Sequence, residues 1–323
     1  MGSDELEFRP RPLSHRTWVR LGVVGLIVAI LYAIVAYAYD AQGTLSFTTN
    51  ASAGADTGVT VTVEPTEVNA ATNQSIMRLT FKVTDPDLTD GTRLTQNLRV
   101  DVATDAGDQE FRFPTGTVAA PQTSTLSLGG EIAYYPFDSH QGSFTVSADT
   151  FQKGADGAPE SVAPVYVLVN AMGGVSGWST QVTAGEMPGS TDVTVLFNRA
   201  FSTQIFAVML LVLALTLAIA TLVVAFLVAS QRRRAEIGLM SWTVALLFAL
   251  PALRTFMPNS PPIGAAIDIY IYLWVMAGSI AAAVIMIMSW VRQSGRMLTA
   301  DPTASGGAVP RIPTIPSADM TGD

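Results

Sequence analysis

The sequence predicts a membrane protein in which four transmembrane α-helices carry one exported antiparallel β-sandwich. Three observations predict it. Of 323 residues, 49% are hydrophobic and only 14% charged, more apolar material than one soluble core needs. The apolar residues gather in four uncharged stretches. Between the first and second stretches the pattern changes to strict two-residue alternation.

The stretches are 21–39, 200–231, 237–253 and 269–291. Each reaches or nearly reaches the roughly 17–25 residues that a helix needs to cross the hydrocarbon. The second is longer than a bilayer requires and should tilt or project. The third contains Pro251, which removes one backbone hydrogen bond near its end. In the first, Ala36-Tyr37-Ala38 has the small-x-small form of a signal-peptidase site. The uncharged run is nevertheless longer than a signal h-region, so a retained anchor is expected; cleavage after Ala38 would leave three spans.

Arginine sets the orientation, because short Arg-rich segments stay cytoplasmic. Arg9, Arg11, Arg16 and Arg20 precede the first span, Arg232, Arg233 and Arg234 fill the second turn, and Arg292 and Arg296 follow the fourth span. Residues 1–20, the turn 232–236 and the tail 292–323 are thus expected on the cytoplasmic side of the plasma membrane. Segment 40–199 and the turn 254–268 are expected outside. The tail from Thr299, rich in Pro, Gly, Ser and Thr, reads as disordered, and Pro310, Pro313 and Pro316 have polyproline II spacing.

In the exported segment, alternation marks strands at 57–64, 76–83 and 98–102, with further candidates at 109–113, 124–128, 143–148, 165–170, 178–183 and 192–197. Asp85-Pro86-Asp87, Asp90-Gly91, Gly129-Gly130, Asp156-Gly157 and Gly173-Gly174 supply turns. Strands of this number and spacing read as one sandwich.

Charge and missing residue types exclude much chemistry. The chain has 18 basic against 26 acidic residues, a net of −8, the wrong sign for a nucleic-acid binder. Segment 40–199 alone holds 18 acids and 7 bases, a net of −11. With no cysteine and two histidines, thiol chemistry, disulfides and Cys-ligated metals are excluded, and no cofactor is implied. Asp138, Ser139 and His140 are consecutive, but neighbours in an extended chain face opposite ways, so a surface histidine is expected. Asp85 to Asp90 suggests calcium, yet the third acid slips by one and Gln96 stands at position 12, so an acidic loop is the expectation.

Two constellations remain. Tyr134-Tyr135-Pro136-Phe137-Asp138 reads as a rigid loop before a strand. Its Tyr-Pro-Phe-Asp pattern is similar to the proline loop of pentameric ligand-gated channels, which implies a loop that couples sandwich to helices. Those channels place the sandwich before all four helices, whereas here one helix precedes it. The second constellation is Arg254 and Asp268, which bracket the short outer turn. They are expected to pair as a hairpin clamp stiffened by Pro258, Pro261 and Pro262. In the fourth span, Gly278 with Ala282 and Ala277 with Ala281 suit close helix packing.

Taken with Arg232 to Trp242, Ala245 to Arg254 and Pro261 to Asp268, these features resemble the Domain of Unknown Function 4436 family of actinobacterial membrane proteins. That resemblance implies an envelope location and no assigned activity. The leading expectation is a non-enzymatic envelope protein, embedded in the lipid bilayer, whose acidic sandwich binds a protein or lipid partner or scaffolds an assembly. The alternatives are a receptor- or channel-like homo-oligomer, and a carboxylate-dependent enzyme or transport accessory acting on envelope lipids or glycans.

Overall fold

The computed structural model describes residues 44–49, 58–153, 159–187, 189–259 and 261–298, together with scattered helical positions between 22 and 37. Ala38, the Asp156-Gly157 turn and the tail from 299 lie outside the described residues. The chain divides into two compact units. One holds the β domain with the start of the first long helix and residues 252–274; the other holds the remaining helical residues.

Among the described residues, twelve strands build the β domain: β1 (Leu45–Thr49), β2 (Val59–Asn69), β3 (Gln74–Val83), β4 (Leu98–Thr104), β5 (Gly107–Phe113), β6 (Gln122–Ser127), β7 (Gly129–Gly130), β8 (Ser139–Lys153), β9 (Pro159–Val165), β10 (Val167–Ala171), β11 (Trp178–Met187) and β12 (Ser190–Arg199). One sheet runs β1-β11-β12-β8-β4-β5, with β7 and β9 also pairing β8; the other runs β10-β2-β3-β6. Alternation puts Val59, Val61 and Val63 of β2 and Met77, Leu79 and Phe81 of β3 into one apolar core. Val100 and Val102 of β4, Phe144 and Val146 of β8, and Val193, Val195 and Phe197 of β12 fill the same core from the other sheet.

Every strand candidate overlaps an observed strand, but the sandwich is mixed rather than antiparallel. β1 lies parallel to β11, and β10 parallel to β2. Alternation reports which face is buried and says nothing of the neighbour's direction. The candidate at 165–170 straddles the end of β9 and β10, and Gly129-Gly130 pairs with His140 and Gln141 of β8 instead of making only a turn. The carboxylates of Asp85 and Asp90 accept amides of their own turns, from Asp87 at 2.9 Å and from Arg93 at 2.7 Å.

Among the described residues, three helices are long and apolar enough to cross a membrane. They are α1 (Phe201–Ala229), α2 (Ile237–Thr255) and α3 (Leu273–Leu298), the last preceded by a wide π-type turn at Asp268–Tyr272. Pro251 lies inside α2, and α3 continues past the expected span end at 291. In the helical unit, Ala225 and Val228 of α1 pack with Ala282 and Met286 of α3. Gly278 faces Leu222, whose Cδ1 would lie 3.3 Å from an added Cβ. Gly278 and Ala282 therefore serve packing within the bundle, while Ala277 and Ala281 are exposed.

Candidate functional site

β12 alternates without interruption, so Thr191, Val193, Val195, Phe197 and Arg199 all face the core. The last of these is a cation, and the sheet register supplies its partners. On one side of β12, Trp178 of β11 stands opposite Arg199. On the other, His140 of β8 stands opposite Phe197. Asp138 lies two residues before His140 and so shares its face.

The result is a buried ionic and aromatic cluster. The side chains of Asp138, His140 and Arg199 are wholly shielded from solvent. Arg199 Nε donates to Asp138 Oδ1 at 3.0 Å, and Nη2 donates to Oδ2 at 3.0 Å, a two-pronged pair. His140 Nε2 lies 2.9 Å from Oδ2; facing a carboxylate, it must carry the proton and donate. The guanidinium lies over the Trp178 ring at 4.1 Å and the Tyr135 ring at 5.0 Å, distances at which a cation is attracted to the ring face. His140 meets Trp178 edge-on at 5.7 Å.

Burial pushes the Asp138 carboxyl up, but the hydrogen bonds from His140 and Arg199 and the Arg199 charge outweigh it and hold the group below its ordinary range. Burial raises the Tyr135 hydroxyl to about 12, against the opposing pull of Arg199. Among the described residues, His140 Nδ1 and Arg199 Nη1 have no hydrogen-bond partner. Gly130 closes over that nitrogen, since a Cβ there would lie 2.5 Å from Nδ1 and 2.5 Å from the Ser139 carbonyl.

These observations correct the expectation of a surface histidine. Immediate neighbours do diverge, and Ser139 is exposed, but Asp138 and His140 are two apart and converge. The hydrogen bonds join His140 to Asp138 rather than to a hydroxyl nucleophile, so the arrangement differs from an acyl-transfer triad. Its chemistry is to fix four chain segments at one point.

The four predicted loop residues divide by burial. Tyr135, Pro136 and Asp138 are buried, whereas Phe137 is exposed. A cis peptide bond joins Tyr135 to Pro136, and Tyr135 Oη donates to the Pro258 carbonyl at 3.0 Å. The loop therefore touches the turn after α2. Gly177, whose φ of 82° favours glycine, turns its carbonyl toward the start of α1, where it accepts the Ala200 amide at 2.9 Å and the Thr203 hydroxyl at 3.1 Å.

Arg254 and Asp268 meet as well. Arg254 Nε donates to Asp268 Oδ1 at 3.0 Å and Nη2 to Oδ2 at 2.9 Å. The same Nη2 reaches the Pro261 carbonyl at 2.8 Å, and the Gly264 amide donates to Asp268 at 2.9 Å. Asp268→Ala strands Arg254 among carbonyls in a partly buried setting. It should cost about 1–3 kcal/mol, the range for leaving a buried polar group without its partner, read as a lower thermal midpoint of the detergent-solubilised chain. An unchanged midpoint would show that the pair clamps nothing.

Sequence reasoning singled out Tyr135, Pro136, Phe137 and Asp138 but missed His140, Trp178 and Arg199. An arginine in the core register of an alternating run was the signal that pointed to the last.

Residues 48–197 match the family model described as Domain of unknown function (DUF4436). Residues 199–293 match a second model, Domain of unknown function (DUF8686). Arg199 thus opens the second matched region while its partners Asp138, His140 and Trp178 lie in the first. Tyr135 and Pro258 are divided in the same way. No curated protein matches the chain.

Proposed function

We propose, for a chain whose residues 48–197 match the DUF4436 family model, an integral membrane protein of the cell envelope that presents its acidic β domain outside the plasma membrane for partner or lipid binding or scaffolding. One observation carries this reading. In each of the three long apolar helices, a third or less of the most apolar stretch is buried by protein, leaving Leu213, Val223, Phe226, Phe248 and Val284 exposed. Helices apolar on their outer faces are suited to hydrocarbon.

The first span is the fourth helix of this proposal. Arginine placement puts both termini and the 232–236 turn in the cytoplasm, with 40–199 outside. The role is non-enzymatic, in keeping with carboxylates committed to partners: Asp138 to Arg199, Asp149 to Arg99 and Asp192 to the Thr145 hydroxyl. The absence of cysteine makes the test direct. Met187→Cys should react with a membrane-impermeant maleimide on intact cells, and Arg233→Cys only after permeabilisation. The reverse pattern would overturn the orientation.

The bond from Tyr135 to Pro258 favours a second reading, a receptor-like oligomer in which the Pro136 loop couples the β domain to the turn between α2 and α3. Tyr135→Phe deletes that bond and leaves the ring in place. It should lower the thermal midpoint by an amount equivalent to about 0.5–1.5 kcal/mol. A strictly monomeric protein by native mass measurement in mild detergent would remove this reading.

A further inference from the structure

Resting on the membrane reading above, we propose that the β domain itself enters the bilayer surface: Tyr134 and Phe137 insert into the outer headgroup layer beside Phe256 and Ile263 of the turn after α2. The loop buries Tyr135 and Pro136 and turns out the aromatic side chains that flank them, with Phe137 66% exposed. A polar residue at either position would satisfy the loop's geometry as well in water, so two exposed rings ask for a covering phase.

Three observations identify that phase as lipid. First, the hydrogen bond from Tyr135 to Pro258 seats this loop against the turn that joins two apolar helices. Ile263 in that turn is 95% exposed, so the turn and the loop that touches it both carry exposed apolar side chains. Second, the surface is uncharged within a strongly acidic domain. Residues 132–137 and 255–267 contain no Asp, Glu, Lys or Arg; of the charges at their borders, Asp138 pairs with Arg199 and Arg254 with Asp268, while Glu131 is exposed. Third, Tyr270 in the turn before α3 and Trp274 at the start of α3 are exposed, and aromatic rings that flank an apolar helix suit a membrane interface.

The test uses single cysteines carrying an environment-sensitive fluorophore in phosphatidylcholine liposomes that contain doxyl lipids, shallow or deep. With label at Phe137→Cys, and separately at Tyr134→Cys, emission should be blue-shifted and lost with shallow-doxyl lipid, and iodide should leave it unchanged. Phe226→Cys in α1 reports the membrane reading itself and should lose emission with doxyl lipid. Met187→Cys, about 30 Å along the β11–β12 ladder from Arg199 at the rise of an extended strand, should respond to iodide alone. Iodide quenching at Phe137 with lipid quenching at Phe226 overturns the inference and leaves the membrane reading standing. Shielding of Phe137 from both quenchers also overturns it, in favour of a second copy of the chain on this surface. Loss of lipid quenching at Phe226 overturns the membrane reading instead.

Discussion

Arg199→Ala should lower the unfolding free energy of the β domain by about 3–5 kcal/mol, the range for breaking a fully buried ion pair by deleting one partner. The loss comes less from the attraction removed than from the charge left behind. Asp138 would keep His140 as a side-chain donor but lose its countercharge in a site with no solvent access, and the rings of Trp178 and Tyr135 would lose the cation they face. Asp138→Ala should cost a similar amount by stranding Arg199. Replacing both by Leu should cost less than either single change, because apolar groups of similar size ask for no partner. The measurement is urea denaturation of the solubilised chain, followed by the circular dichroism of the β domain. If either single change moves the midpoint no more than a surface substitution does, the cluster does not hold these strands of the β domain together.

The same pair sets an acid limit. The folded Asp138 carboxyl lies below its ordinary range, so the folded state binds its proton less readily than the unfolded state does. Its contribution to stability is then fully present above the unfolded value, about 3.9, and is lost as pH falls through the folded value. Asp138→Asn should flatten this part of the stability profile below about pH 4 without changing its shape at neutral pH.

How far this was legible in the sequence follows from what each signal measures. Alternation located the core strands because alternate residues are buried from Val59 to Pro65 in β2, Ser75 to Phe81 in β3, Leu98 to Val102 in β4 and Thr191 to Arg199 in β12. It failed for β9, where Pro159 and Pro164 break a strand pattern that survives only beside β8, for β1, which no candidate covered, and for the direction of β10. In the cluster, Asp138 was visible as a loop residue, and Arg199 could be read as facing inward from the run Val193, Val195, Phe197. Their meeting was not legible, because it depends on β8 lying beside β12 in a register that pairs His140 with Phe197. Arg254 and Asp268 were legible as a pair because a short proline-rich turn leaves their ends little freedom to separate.

Trp178→Ala should be comparably severe, about 3–5 kcal/mol, as for other fully buried aromatic side chains reduced to a methyl. The ring is 1% exposed and stands between Arg199, His140 and Phe197, so its removal opens a cavity beside a buried charge. Water drawn into that space would hydrate Arg199, and the ion pair would then be worth less. Loss of the ring and loss of the pair should therefore overlap rather than add: the double variant Trp178→Ala, Arg199→Ala should fall short of the sum of the two single costs. Trp178→Phe separates the two contributions, since it keeps an aromatic face over the guanidinium while giving up volume. It should recover more than half of the stability lost in Trp178→Ala if the cation and ring attract, and much less if filling space is all that the indole does. Additive single costs would mean that Trp178 and Arg199 are independent core residues and that the start of β11 takes no part in fixing the strand that leads into α1.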